Sequence, residues 1–337
     1  LQMISADEYQ AYGTTLINFA EKISSFSSPL AVGMSGNFRQ MKRRILNIAV
    51  FRKETLYQKM RALIIYLVIS AVFIGYTPIL SIDASTQSVY HFSDTDKNIS
   101  LLDISETFGT YDGSFVLYDN NLDSWKIYDL EEATKRIPPE STYKIYDALL
   151  GLESGIITPE HSSMTWNGDA FPFPSWEADQ DLNSAMQNSV NWYFQAIDSQ
   201  LGINRVQEFL NKIEYGNQTT SSNLDLYWSD FSLKISPLEQ VTLLKKFNTN
   251  EFHLNSQNVF SVKNAIKIAS TPNGNFYGKT GTGRVNGQDI NGWFIGYVET
   301  SDNSYYFATN IQSDSNATGK KALEITSSIL KKLHIWN

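Results

Sequence analysis

The amino-acid sequence predicts an α+β domain, an antiparallel sheet flanked by helices, preceded by one transmembrane helix and a cytoplasmic helical segment. Three observations carry that expectation. Strand-forming runs lie at both ends of the stretch beyond residue 100, and helical patterning with short loops fills its middle. Turn residues join the neighbouring strand runs. Ahead of them stands a run without any charge, residues 62–80.

In chain order, Tyr9, Tyr12, Leu16, Phe19 and Ile23 recur at helical spacing and predict an amphipathic helix over 7–24. Nothing at Leu1 resembles a signal peptide, and the first residues read as the interior of a longer protein. Eight basic residues fall between Arg39 and Arg61. The uncharged run 62–80 that follows is long enough to span the roughly 30 Å hydrocarbon layer as a helix. The basic side is expected to be cytoplasmic, which puts 1–61 inside and everything after about 82 outside. Lys42-Arg43-Arg44 reads as a topology anchor, with a protease-processing site as the alternative. Residues 81–100 are polar and aperiodic, a tether, and a domain runs from 101 to 337. Within it, 113–119 and 125–128 form a hairpin about Asn120–Asp123. Pro138-Pro139-Glu140-Ser141 opens a helix that runs to about Ser154 and stops at Gly155. Strands are expected at 274–281, 292–299 and 304–310. A last helix over 322–333 places Ala322, Ile325, Ile329 and Leu333 on one face.

The net charge of −8 argues against nucleic acid as a direct partner. Cysteine is absent, which excludes disulfides and thiolate metal sites and suits a protein exposed in part outside the cell. His91, His161, His253 and His334 are scattered with no H-E-x-x-H among them, so no zinc site is expected within this chain.

Three short motifs carry the chemistry: Ser141-Thr-Tyr-Lys144, Ser189-Val-Asn191 and Lys279-Thr280-Gly281. S-x-x-K, S-x-N and K-T-G in this order form the active-site set of serine enzymes that react with β-lactams. Each alone arises easily by chance; in order they are specific. Ser141 and Lys144 share a helix face, and a neutral, buried Lys144 can take the serine proton. Ile145, Leu149 and Trp228 are candidates for its apolar surroundings. Ser189 can relay a proton, and Asn191 offers an amide to substrate or to the lysine. Lys279 adds positive potential, and Thr280 and Thr282 offer hydroxyls to a ligand carboxylate. Gly281 allows close approach to the backbone. The N–H groups of Ser141 and Thr282 are the expected oxyanion donors.

Around these residues the sequence resembles the BlaR/MecR β-lactam sensor-transducers of Gram-positive bacteria. The likeness is carried by Ser141–Tyr146, Met164–Asn167, Asp181–Trp192, Tyr277–Gly283 and Asn291–Glu299, and extends to Tyr12–Ala20 and the basic stretch. It implies an extracellular sensor domain with the fold of class D β-lactamases, acylated on Ser141 into a long-lived acyl-enzyme. It also implies that Lys144 can be N-carboxylated by carbon dioxide, with Trp228 holding the carboxylated form. The signal would cross the membrane to a cytoplasmic zinc metalloprotease and end in removal of a transcriptional repressor. The metalloprotease motif is missing here, so zinc is expected only upstream, and residues 1–61 resemble the tail of that domain. Three readings stand: a receptor acylated once, a membrane-anchored class D β-lactamase, and a transpeptidase. Asn191 favours the receptor, because class D hydrolases usually carry an apolar residue there.

Overall fold

Asp112–Asp119 (β2) and Ser124–Tyr128 (β3) form the predicted hairpin, and one strand before it and four from Lys267 onward join it in one seven-stranded sheet. This computed structural model describes residues 88–93, 97–221, 223–225 and 227–337, with Thr15 and Asn18. The chain divides into two compact units, Leu1–Ile79 and Leu80–Asn337, and the sheet belongs to the second. The expected membrane helix at 62–80 lies outside the described residues, as does the expected amphipathic helix at 7–24 apart from Thr15 and Asn18. Among the described residues no helix is long and apolar enough to cross a membrane.

The remaining strands are Asn98–Leu101 (β1), Lys267–Thr271 (β4), Gly274–Val285 (β5), Gln288–Glu299 (β6) and Ser304–Gln312 (β7). Their order is β1-β3-β2-β7-β6-β5-β4. The sheet is mixed, not antiparallel as the sequence suggested, because β1 pairs in parallel with β3, Asn98 opposite Ser124 through Leu101 opposite Ile127. The reason is topological. The chain reverses once through the short helix Ser105–Phe108 (α1) and again at the 120–123 turn, so β1 and β3 must run the same way. The stretch expected to be a tether is therefore in contact with the domain in part. Besides β1, the N–H of Tyr90 donates to Thr134 O at 2.8 Å and the N–H of Arg136 to Ser88 O at 2.8 Å.

Both faces of the sheet are covered, so its central strands are buried along most of their length. In β2, Phe115 and Leu117 enter the core shared with Ala322, Ile325 and Ile329 of the last helix, Gly319–Lys332 (α9). Val116 and Tyr118 point the other way, into the larger core. That period of two is the strand's own geometry. The larger core is closed by six further helices: Leu130–Thr134 (α2), Lys144–Glu153 (α3), Leu182–Gln187 (α4), Asn191–Leu201 (α5), Ile203–Ile213 (α6) and Pro237–Asn248 (α7). Ser256–Ala265 (α8) adds Val259 and Val262 to it. Two of the helices start on reciprocal caps that fix their entry. Asp181 accepts from Ser184 N at α4. Ser236 and Glu239 satisfy each other at α7, with Pro237 in the first turn. Arg136 grips that same Glu239 through Nε at 3.0 and 3.1 Å, tying the segment before Ser141 to α7.

Candidate active site

Pro138-Pro139 cannot continue β pairing, and the chain turns there into a 3₁₀ turn, Glu140–Tyr143, that runs straight into α3. Ser141 is half-buried on that turn, and Lys144, the first residue of α3, is fully buried. The three-residue spacing brings them together: Lys144 Nζ lies 2.7 Å from Ser141 Oγ. The same Nζ donates to Asn191 Oδ1 at 2.6 Å. The rings of Trp228 and Phe194 stand over it, centroids at 5.8 and 5.7 Å. Burial in these walls, and next the charge of Lys279, hold Lys144 well below the ordinary lysine range, against the opposing pull of Asp147 and Glu140. A neutral amine beside the serine oxygen is what proton abstraction requires.

Ser189-Val190-Asn191 links α4 to α5, with Asn191 as the first residue of α5. Ser189 takes a left-handed conformation (φ +56°), uncommon for a non-glycine residue and found preferentially where function over-determines the backbone. Lys279 Nζ donates to Ser189 Oγ at 3.0 Å and to Thr280 O at 2.9 Å. The structure therefore joins Ser189 to Lys279, and Lys144 to Asn191. Burial lowers Lys279 to about 7.

Lys279-Thr280-Gly281 lies on β5, where β4 has already ended: their pairing stops at Tyr277, so the motif borders the site on a free strand edge, as expected. Gly281 also has a packing role. The residue is buried, and a methyl there would sit 3.1 Å from Pro139 O and 3.2 Å from Ser141 N. Glycine thus lets β5 lie against the 140–143 turn, which sets the Thr282 segment beside the N–H of Ser141. Thr282 is exposed, and its Oγ1 accepts from Gly319 N at 2.9 Å, the first residue of α9.

Three participants were not singled out from sequence. Phe194 follows Asn191 by three residues, one helical turn, a spacing that could have exposed it. Glu140 directly precedes Ser141 and is buried with φ +53°. Asn291 on β6 donates through Nδ2 to Glu140 Oε1 at 3.2 Å and to Pro138 O at 3.1 Å.

Residues 110–331 match the penicillin binding protein transpeptidase domain. The chain is 42% identical to the regulatory protein BlaR1 of Bacillus licheniformis over 96% of its length and 54% of that protein. It is 34% identical to the methicillin resistance mecR1 protein of Staphylococcus aureus over 99% and 57%. The chain spans about half the length of these relatives. Among solved structures, the C-terminal domain of the Bacillus licheniformis BlaR penicillin-receptor superposes with a TM-score of 0.70 at 46% identity, covering 72% of this chain and 99% of that one. Class D beta-lactamase BAT-2 gives 0.66 at 36% identity, with 70% and 97% covered. The chain belongs to the penicillin-binding transpeptidase-domain family, and within it to the BlaR/MecR group with its class D β-lactamase-like fold.

Proposed function

We propose that this chain is the receptor part of a β-lactam sensor, in which Ser141 opens the lactam ring and remains acylated. Neutral Lys144 takes the proton of Ser141 Oγ as that oxygen bonds to the lactam carbonyl carbon. The N–H groups of Ser141 and Thr282 receive the oxyanion, and the C–N bond then breaks. The departing nitrogen takes a proton through Ser189, which Lys279 resupplies; an amine titrating near neutrality suits that task. Lys279, with the Thr280 and Thr282 hydroxyls, faces the ligand carboxylate.

The observation that carries the receptor reading is the 2.6 Å bond from Lys144 to Asn191. Deacylation by a carboxylated lysine requires that nitrogen to be available to carbon dioxide. An amide acceptor bonded to it competes with the carbamate for that place, and without the carbamate the water of deacylation is not activated. Relatives named BlaR1 and mecR1 over nearly the whole chain support the same reading. The anchored class D hydrolase is the second reading, supported by the likeness to BAT-2.

Beyond the domain, we infer that 62–80 crosses the membrane of a Gram-positive bacterium with 1–61 on the cytoplasmic side, supported by the uncharged run and the basic cluster before it. An upstream zinc metalloprotease and a repressor target follow from the resemblance alone. Burst kinetics of the full chain in detergent with a chromogenic cephalosporin test the central reading. One equivalent released, then almost no turnover, with no burst in Ser141→Ala, is the expected result. Sustained turnover by the wild type would instead establish a β-lactamase.

A further inference from the structure

Glu140 lies in an unusual place for a carboxyl group. It immediately precedes the nucleophile, is only 6% exposed, and takes a left-handed backbone conformation that a side chain tolerates poorly. Several contacts over-determine that conformation. Its N–H donates to Trp228 O at 3.0 Å, so the residue is pinned to the wall of the lysine pocket. Its side chain runs beneath β5, where glycine stands at both strand positions facing it. A methyl at Gly281 would lie 3.1 Å from Glu140 Cβ, and one at Gly283 would overlap its Oε1.

From the other side a ladder of amides ends on the carboxyl. Gln312 Nε2 donates to Asn310 Oδ1 at 3.3 Å, and Asn310 Nδ2 donates to Asn291 Oδ1 at 2.8 Å. Asn291 Nδ2 then donates to Glu140 Oε1 at 3.2 Å. The ladder crosses β7 and β6 and terminates one residue from Ser141. The carboxyl also borders a cleft of about 70 Å³, walled by Ile137, Phe231, Val285 and Ile290, through which protons can reach it.

The charged groups around it are few. Lys144 lies on α3, and Lys279 and Arg284 lie on β5. Asp289 on β6 is engaged by Arg284 at 2.7 and 3.2 Å. Asp230, in the loop lining the cleft, accepts from Ser232 N. β7 brings only the neutral Asn310 and Gln312. Among the described residues no salt bridge reaches the carboxyl.

We propose that Glu140 is a positioning residue for acylation: neutral, it props the backbone that carries the Ser141 N–H against β5, and ionised, it opposes the reaction. This inference rests on the reading of Ser141 as the acylated residue. Two effects of the ionised form point the same way. A negative charge one residue from the oxyanion donors disfavours the charge that develops there. The same charge draws Lys144 towards its protonated form, in which it is no base. Burial raises Glu140 to about 8, opposed by the Asn291 bond and by Lys144, so its titration falls where acylation is measurable.

The test is the acylation rate of the full 337-residue chain in detergent by a fluorescent penicillin, from pH 6 to 9.5, for wild type, Glu140→Gln and Glu140→Ala. Lys144 and Lys279 titrate in all three proteins, so only a difference between variants counts. The ratio of the rate at pH 9 to that at pH 6.5 should be at least threefold higher in Glu140→Gln than in wild type. Glu140→Ala, which loses both the prop and the acceptor for Asn291, should acylate at least tenfold more slowly at pH 6.5. Equal ratios in wild type and Glu140→Gln overturn the inference while leaving acylation intact. No adduct on wild type would remove the acylation reading and this inference together.

Discussion

With its amine held between Ser141 Oγ and Asn191 Oδ1 inside a wall of Trp228 and Phe194, Lys144 is equipped for one half of a hydrolytic cycle. The proposed other half, through a lysine carbamate, needs polar space beside the nitrogen, which the Asn191 amide fills. Replacing the amide with an apolar group of similar size removes the competing acceptor and leaves the pocket dry. Asn191→Val should therefore accumulate a lysine carbamate, seen as a new carbon-13 resonance after labelled bicarbonate is added. It should also turn over a chromogenic cephalosporin at least tenfold faster than wild type. A variant that gains neither carbamate nor turnover would show that the lifetime of the acyl bond is set elsewhere. In the opposite direction, Lys144→Ala removes the proposed base itself. It should slow acylation by about a hundredfold or more, in line with the usual contribution of a positioned general base, when labelling is followed at pH 7.5. The residues that carry these effects were readable in the sequence because motif spacing constrains chemistry directly. Glu140 and Asn291 were not, since a buried carboxyl and its amide partner sit 151 residues apart and only the fold brings them together.

At the scale of elements, the site is a meeting of three segment ends: the 140–143 turn, the 188–190 loop, and β5 past the end of β4. The start of α9 braces the last of these. A methyl at Gly319 would lie 2.6 Å from Gly281 O and 2.8 Å from Thr280 Cβ, a separation that real Cβ atoms do not show, so helix or strand must move. Gly319→Ala should therefore slow acylation at least fivefold and lower the unfolding midpoint by a few degrees, about 1–3 kcal/mol of overpacking. Penicillin labelling and thermal denaturation of the same sample check both effects. If only the midpoint falls, α9 supports the fold without setting the geometry of β5. The elements themselves were largely legible. The β2–β3 hairpin, β5 to β7 and the buried face of α9 follow from period and turn chemistry. β1 was hidden because Asn-Ile-Ser-Leu has neither length nor a continuous apolar face, and it is a strand only because β3 offers it an edge.

For the molecule as a whole, the sheet separates two cores and the site is built at the boundary of the larger one, where titratable groups are forced into apolar surroundings. Burial raises Glu140, Asp147 and Asp198 and lowers Lys144 and Lys279. The two sets tilt stability in opposite directions with pH, so the total profile does not report any one of them, and a difference between variants does. Glu140 keeps its proton up to about 8 in the folded chain, whereas a free glutamate releases it near 4.5. Between those values the unfolded state binds fewer protons than the folded one, so unfolding is favoured as pH rises. The contribution of Glu140 is thus fully present below about pH 4.5, declines through neutrality and is gone above about pH 8. Glutamine keeps the acceptor for Asn291 and has no proton to lose, so Glu140→Gln should lack this slope. The unfolding midpoint of the variant minus that of wild type should therefore increase steadily from pH 5 through 6.5 to 8. A difference that stays constant over that range would mean that Glu140 is already ionised in the folded protein, stabilised by contacts other than the amide ladder.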